Sequence, residues 1–257
     1  MAEQQEFEIS VGEGRVRGTL QRPETAGEDG PAPIVLICSE PSGSVGGSAT
    51  LMDEMAAALA AGGLAVAQFR GREGGESKPT ATDLVDDASA VFRHLLLDDD
   101  LDGGRLGLLG WRLGSIIAAC LAGRTDQINR ICLWSPITSG DLLSRIAKAG
   151  AAASLLDAHA VGEPFIESLA KLTPAEDLAA HDRPTLLLHG AADRIIPPSC
   201  ARPFLEAAER AGRRFEQELI ALADHELTDP DIRAACLARV RRFFIKMEAP
   251  VKATAPA

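Results

Sequence analysis

The sequence predicts an α/β fold, with a mostly parallel sheet of about eight strands covered by helices on both faces. Three observations carry this expectation. Short, nearly continuous apolar runs alternate with helical stretches over most of the chain, the pattern of strands buried on both sides. An alternating hairpin opens the sequence, and one long helical interruption, 138–180, breaks the rhythm before it resumes. The length of 257 residues suits one such domain with an insertion.

The elements follow in order. Residues 7–11 and 15–21 alternate apolar with polar around Gly12-Glu13-Gly14, an opening hairpin. The stretch 23–33, rich in Gly, Pro and acid, is a surface loop. A strand at 33–38 leads to a helix at 49–61, and a strand at 64–69 to a helix at 81–97. Asp83 and Asp86 sit in the first turns of that second helix, where the dipole favours acid. Strand 105–109, helix 113–122 and strand 128–134 come next. After the alanine-rich interruption come strand 184–189, helix 199–211, strand 215–220 and helix 231–244. One domain over 1–246 is expected, with 138–180 as a helical lid roofing the pocket. The Pro/Ala-rich 247–257 reads as a frayed tail.

Hydrophobic residues make up 46% of the chain and charged residues 25%, enough apolar surface for a sizeable core. Aromatics are 4% and Tyr is absent, so that core must rest on Leu, Ala, Ile and Val. A net charge of −11 weighs against nucleic acid or an anionic membrane as partner. No apolar run reaches the roughly 18–20 residues of a membrane span, and the polar 1–7 lacks a signal-peptide pattern. The five cysteines (Cys38, Cys120, Cys132, Cys200 and Cys236) are odd in number and lack metal-ligand spacing. Three of them sit in apolar strand or helix contexts and read as buried free thiols, and a reducing cytoplasm fits best. Neither a metal nor a cofactor is expected.

The stretch that carries chemistry is Gly110-Trp111-Arg112-Leu113-Gly114, between the apolar run 105–109 and a helix of small residues. A strand, a glycine-framed turn and a helix are the setting of the G-x-S-x-G nucleophile elbow, whose middle residue attacks the substrate. Here that residue is Arg112, whose guanidinium stays protonated and attacks nothing.

Two more landmarks follow in chain order. Leu186-Leu187-Leu188-His189-Gly190-Ala191-Ala192-Asp193-Arg194-Ile195-Ile196-Pro197 is a strand and acidic loop, and Ala223-Asp224-His225-Glu226 follows the next strand. Together with the elbow they resemble the α/β-hydrolase superfamily, in its serine aminopeptidase-like branch, from the opening hairpin to the last helix. The resemblance implies the order nucleophile, acid, histidine, with Asp193 as the triad acid and His225 as the triad histidine. A carboxylate on the far ring nitrogen fixes the histidine tautomer and stabilises its cation. Both residues, just beyond parallel strands, would meet at the carboxyl end of the sheet, where open α/β folds bind ligands.

Two segments depart from the family's pattern. Where the family has His-Gly and an oxyanion-hole N–H, this chain reads Cys38-Ser39-Glu40-Pro41-Ser42-Gly43-Ser44. The Glu40 carboxylate would repel an oxyanion, but it can pair with Arg112. The segment Phe69-Arg70-Gly71-Arg72-Glu73-Gly74-Gly75-Glu76-Ser77 resembles the family's F-D-x-R-G-x-G-x-S loop, with Arg70 where Asp is usual. The resemblance implies that Arg72 and Ser77 brace the structure. Residues 133–140 and 160–164 resemble segments of the exosortase-associated hydrolases, encoded beside bacterial exopolysaccharide and protein-sorting genes. That narrower resemblance implies that Arg beside Leu-Gly in the elbow is a family trait.

Three roles for Arg112 stay open on the sequence. In a dead site it pairs with Asp193 or Glu40, making a pseudoenzyme. As a receptor it adds a bidentate fork to the positive end of a helix and holds an anion. As an electrophile it polarises a carbonyl while His225 activates water, with no covalent intermediate. Ser115 reads as helix packing, Ser135 as a turn former and His181 as solvent-facing, so none replaces the nucleophile. The expected function is a non-standard or weak ester or acyl hydrolase retaining the Asp193–His225 dyad. Arg112, Leu113, Ser39 and Glu40 would contact a small acyl or carboxylate-bearing ligand. The alternative is a non-catalytic protein that binds a small anion or acts as a partner in exopolysaccharide or protein-sorting systems.

Overall fold

Chain order and sheet order part company at the third strand, and that reversal creates the site. The computed structural model describes residues 4–24, 30–39, 47–74, 79–149 and 163–248. Its sheet has eight strands in the order β1-β2-β4-β3-β5-β6-β7-β8. β1 (Gln4–Val11) and β2 (Gly14–Gln21) form the expected hairpin. Gly12 at its tip has φ +58°, the left-handed backbone a two-residue hairpin loop requires. β2 pairs antiparallel with β4 (Ala65–Glu73). From β4 through β3 (Ala32–Cys38), β5 (Leu101–Trp111), β6 (Ile128–Trp134), β7 (Thr185–Gly190) and β8 (Glu216–Ile220) every pairing is parallel. The chain leaves β3 toward one side of the sheet and, after β4, returns to β5 on the other. A crevice therefore opens at the carboxyl ends of β3 and β5.

Strand periodicity divides the core into two layers. Ile34 and Leu36 of β3 belong to one buried cluster, and Val35 and Ile37 to the other. In β5, Leu106 and Leu108 face the first cluster, while Leu109 and Trp111 face the second. The first layer includes α2 (Ala81–Leu95) and α3 (Gly114–Ala122). The second includes α1 (Gly47–Ala60) and α8 (Pro230–Phe244). Every residue of α3 is buried, so this helix is a central support. α2 starts on a capping box between Thr80 and Asp83, which satisfies two backbone N–H groups reciprocally. Arg72 braces the same helix, with Nε 2.7 Å from Asp87 Oδ1 and Nη1 2.9 Å from Asp83 Oδ1. That is the structural role the loop resemblance implied; Ser77 lies outside the described residues.

Three helices fall within the expected lid: α4 (Ser139–Ala149), α5 (Glu163–Leu169) and α6 (Pro174–Ala180). Phe165, Leu169 and Leu178 join the same buried cluster as α2 and α3. Ser168 Oγ also accepts the Ala81 N–H at 2.8 Å. α5 therefore packs on α2, and α6 on α3 and α7 (Arg202–Arg210). Leu142 of α4 joins the same cluster; 150–162 lie outside the described residues. α7 completes the helical layers, preceded by a 3-10 turn at Pro198–Ala201 where a continuous helix was expected. The tail also starts later than the composition implied. Met247 is buried, and the Glu248 carbonyl accepts a hydrogen bond from Asn129 Nδ2 at 2.9 Å; 249–257 lie outside the described residues. All five cysteines are buried free thiols. Among the described residues no helix is long and apolar enough to cross a membrane.

Candidate active site

The turn between β5 and α3 is tightly built around Arg112. Arg112 has φ +52°, a left-handed conformation rare for a residue with a Cβ. Such a conformation costs about 1–3 kcal/mol and persists only where the surroundings impose it. Here two glycines let the surrounding backbone pack tightly about the turn. A Cβ on Gly114 would lie 1.9 Å from the Cys38 carbonyl oxygen, and one on Gly110 2.7 Å from Ser115 Cα. The Arg112 N–H donates to the Trp134 carbonyl at 3.0 Å, extending the β5–β6 ladder into the turn. Ser115 Oγ donates to the Arg112 carbonyl at 2.6 Å and accepts the Ile137 N–H at 3.1 Å. Ser115 is thus a fastening of the elbow, as its place in the helix predicted.

The Arg112 side chain is only 4% exposed. Its guanidinium carbon lies 4.2 Å from the centroid of the Trp111 ring, a cation–π contact. Nη2 donates to the His225 carbonyl at 2.9 Å and to Glu226 Oε1 at 3.3 Å. The sequence offered Asp193 or Glu40 as its partner. Asp193 is instead engaged by His225 and its own loop, and Glu40 lies outside the described residues.

Asp193 follows β7 in a loop that folds back on its carboxylate. Oδ1 accepts the N–H groups of Ile195 and Ile196 at 2.9 and 2.8 Å. His189 Nε2 donates to the Ile196 carbonyl at 2.7 Å and pins the loop from below. Burial lowers the His189 pKa, so this ring is a neutral strut. His225 Nδ1 lies 3.0 Å from Asp193 Oδ2. Burial would raise the Asp193 pKa, but the His225 hydrogen bond and the Ile196 and Ile195 N–H groups outweigh it and hold the carboxyl below its ordinary range. Asp193 and His225, which the sequence placed near one another, are thus in hydrogen-bond contact, with Asp193 ionised against Nδ1.

Leu113 is 4% exposed and its side chain packs in the core beneath α3, so what it can offer a ligand is backbone. Ser39 is partly buried, and its N lies 2.8 Å from where a Gly114 Cβ would sit, so the β3 loop passes directly beside the elbow. A cleft of about 580 Å³ opens on the hairpin side of Trp111; Ser39, Thr19, Gln68, Phe69 and Arg70 are among its walls. That volume is in the range of small-molecule sites. Trp111 is shared between the cleft and the Arg112 contact, whereas Asp193 and His225 are absent from the described lining.

Glu226 is the site residue that sequence reasoning quoted without giving it a role. Its Oε1 lies 3.3 Å from Arg112 Nη2 and 3.8 Å from His225 Nε2. The available signal was an acid next to the histidine in a chain with an arginine at the β5–α3 turn. His181 requires a correction. Expected to face solvent, it is 6% exposed, because α6 packs against α3 and α7.

An elbow after a central parallel strand, reached by His225 with Asp193 behind it, defines an α/β-hydrolase. The chain belongs to the prolyl oligopeptidase family, whose pattern matches residues 72–249. No curated protein matches it in sequence. Among solved structures, the chain resembles the esterase domain of a Rhodothermus marinus protein, with TM-score 0.68 and 18% identity over 94% of this chain and 99% of that one. It also resembles the acylaminoacyl peptidase of Pyrococcus horikoshii, with TM-score 0.74 and 17% identity over 99% of this chain and 43% of that one. A puromycin hydrolase mutant gives TM-score 0.75 and 22% identity over 96% of this chain and 39% of that one. The chain thus spans nearly all of the esterase domain and less than half of the other two proteins.

Proposed function

We propose that this protein binds a small acyl or carboxylate-bearing molecule at the carboxyl end of the sheet and does not perform covalent serine hydrolysis. The observation that carries the reading is Arg112 at the turn between β5 and α3, its Nη2 directed at the Glu226 carboxylate. A guanidinium fork beside the first N–H groups of a helix is a receptor for a planar anion. Leu113 would add its backbone N–H, and Ser39 borders the approach. Five buried thiols fit a reducing compartment, and we place the protein in the cytoplasm.

Arg112→Ser, assayed beside the parent protein on short p-nitrophenyl esters, tests this reading. The parent should be inactive toward serine-reactive phosphonates and near background on esters. The serine variant should gain roughly 10²-fold or more, the ordinary yield of general-base assistance from a placed histidine. Burst acylation of the parent protein would sink the proposal. A second reading, slow hydrolysis by water that His225 activates, is favoured by the intact Asp193–His225 pair. It requires parent activity that survives phosphonates and disappears in His225→Ala.

A further inference from the structure

Arg112 and Glu226 differ sharply in their relation to solvent. The guanidinium is 4% exposed, whereas the Glu226 side chain is 56% exposed and contributes one oxygen to the contact. Oε1 lies 3.3 Å from Arg112 Nη2, which attracts an anion, and 3.8 Å from His225 Nε2, which does so only when it carries a proton. Asp193 holds the other ring nitrogen, so a proton arriving on Nε2 would point at the same oxygen. The position is thus a carboxylate site that already contains a carboxylate. Arg112 is anchored independently, by the His225 carbonyl and the face of Trp111, and keeps its place whether or not Glu226 is there.

Building on the carboxylate reading of Arg112, we infer that Glu226 is an internal stand-in for the ligand's carboxylate and sets which ligands the site accepts. An incoming carboxylate must displace it, trading one charge-assisted hydrogen bond for another. A neutral ester or amide offers Arg112 a weaker acceptor than the one it removes, and is rejected. The exposed side chain of Glu226 can turn into water, which repays its desolvation and keeps the exchange reversible. Apparent affinity for a carboxylate is lowered by the fraction of time Glu226 occupies the site.

Calorimetric titration of acetate and benzoate, with acetamide and benzamide as neutral isosteres, tests this on the parent, Glu226→Ala, Glu226→Gln and Arg112→Gln. The inference expects both Glu226 variants to bind the carboxylates roughly tenfold tighter than the parent, the scale of a charge-assisted hydrogen bond. The amides should gain far less in Glu226→Gln, and Arg112→Gln should lose the carboxylates. Circular dichroism and melting curves confirm the fold of each variant. Carboxylates that bind the parent in an Arg112-dependent way, but no tighter in the Glu226 variants, would overturn the inference and leave the function reading intact. Carboxylates that bind neither the parent nor the Glu226 variants would overturn the function reading itself. Binding confined to the Glu226 variants and lost with Arg112 supports both.

Discussion

Both carboxylate oxygens of Asp193 face one ring nitrogen of His225, at 3.1 and 3.0 Å. An ionised carboxylate only accepts, so Nδ1 is the donor of this pair. The contact fixes which way the ring faces, with Nε2 on the side of Glu226.

The elbow depends on Gly114 for space. A methyl group there would run into the Cys38 carbonyl, a backbone atom without a flexible side chain to turn aside. Gly114→Ala should therefore destabilise the protein by about 3 kcal/mol or more in urea denaturation. A cost below about 1 kcal/mol would mean that β3 and α3 separate easily.

Asp193 gives the fold an acid-side liability. Its carboxyl titrates lower in the folded protein than in the unfolded chain, so it contributes stability above the ordinary Asp range near 4. That contribution disappears as pH falls through the depressed folded value. Asp193→Asn should show a shallower fall in stability than the parent below about pH 4. Parallel curves for the two proteins would contradict the assignment.

His181 acts in a higher window. Burial lowers its pKa from the ordinary value near 6.5, so the folded protein prefers the neutral ring. The corresponding stability is present above about pH 6.5 and declines as pH falls through the lower folded value. His181→Gln should flatten the dependence of melting temperature on pH between about 6.5 and 5, with His189 responsible for what slope persists. An unchanged slope would place His181 in solvent after all.

Arg72 separates structure from function. Its removal leaves the fully buried Asp87 without its ion-pair partner, a loss of about 3 kcal/mol. Arg72→Met should melt well below the parent, yet bind benzoate at low temperature with the parent's affinity. A selective loss of binding in a well-folded Arg72→Met protein would show that this loop shapes the site.

Strand β6 was readable to the residue, because its apolar run is bounded by polar sequence at one end and by Ser-Pro at the other. β5 was not. Asp102-Gly103-Gly104 reads locally as a turn, yet the strand starts at Leu101, because Ala32 and Pro33 of β3 supply a partner that no local window contains. His181 was misread for the same reason: its polar neighbours Asp182 and Arg183 signal a surface, while burial is decided by packing from elsewhere in the chain. The meeting of Asp193 and His225 was legible because each sits in a short motif just beyond a parallel strand. Glu226 reaching Arg112 was not, since it joins residues 114 positions apart. The narrower resemblance of 133–140 and 160–164 rests partly on 160–162, outside the described residues.

The left-handed backbone at residue 112 sits between two glycines that leave no room for a side chain. The close fit belongs to the glycines, so the apex position is free of the crowding that fixes its neighbours. On the proposed reading, where Arg112 holds a ligand, a single base change from an AGY serine codon to an AGR arginine codon would separate an attacking residue from a holding one.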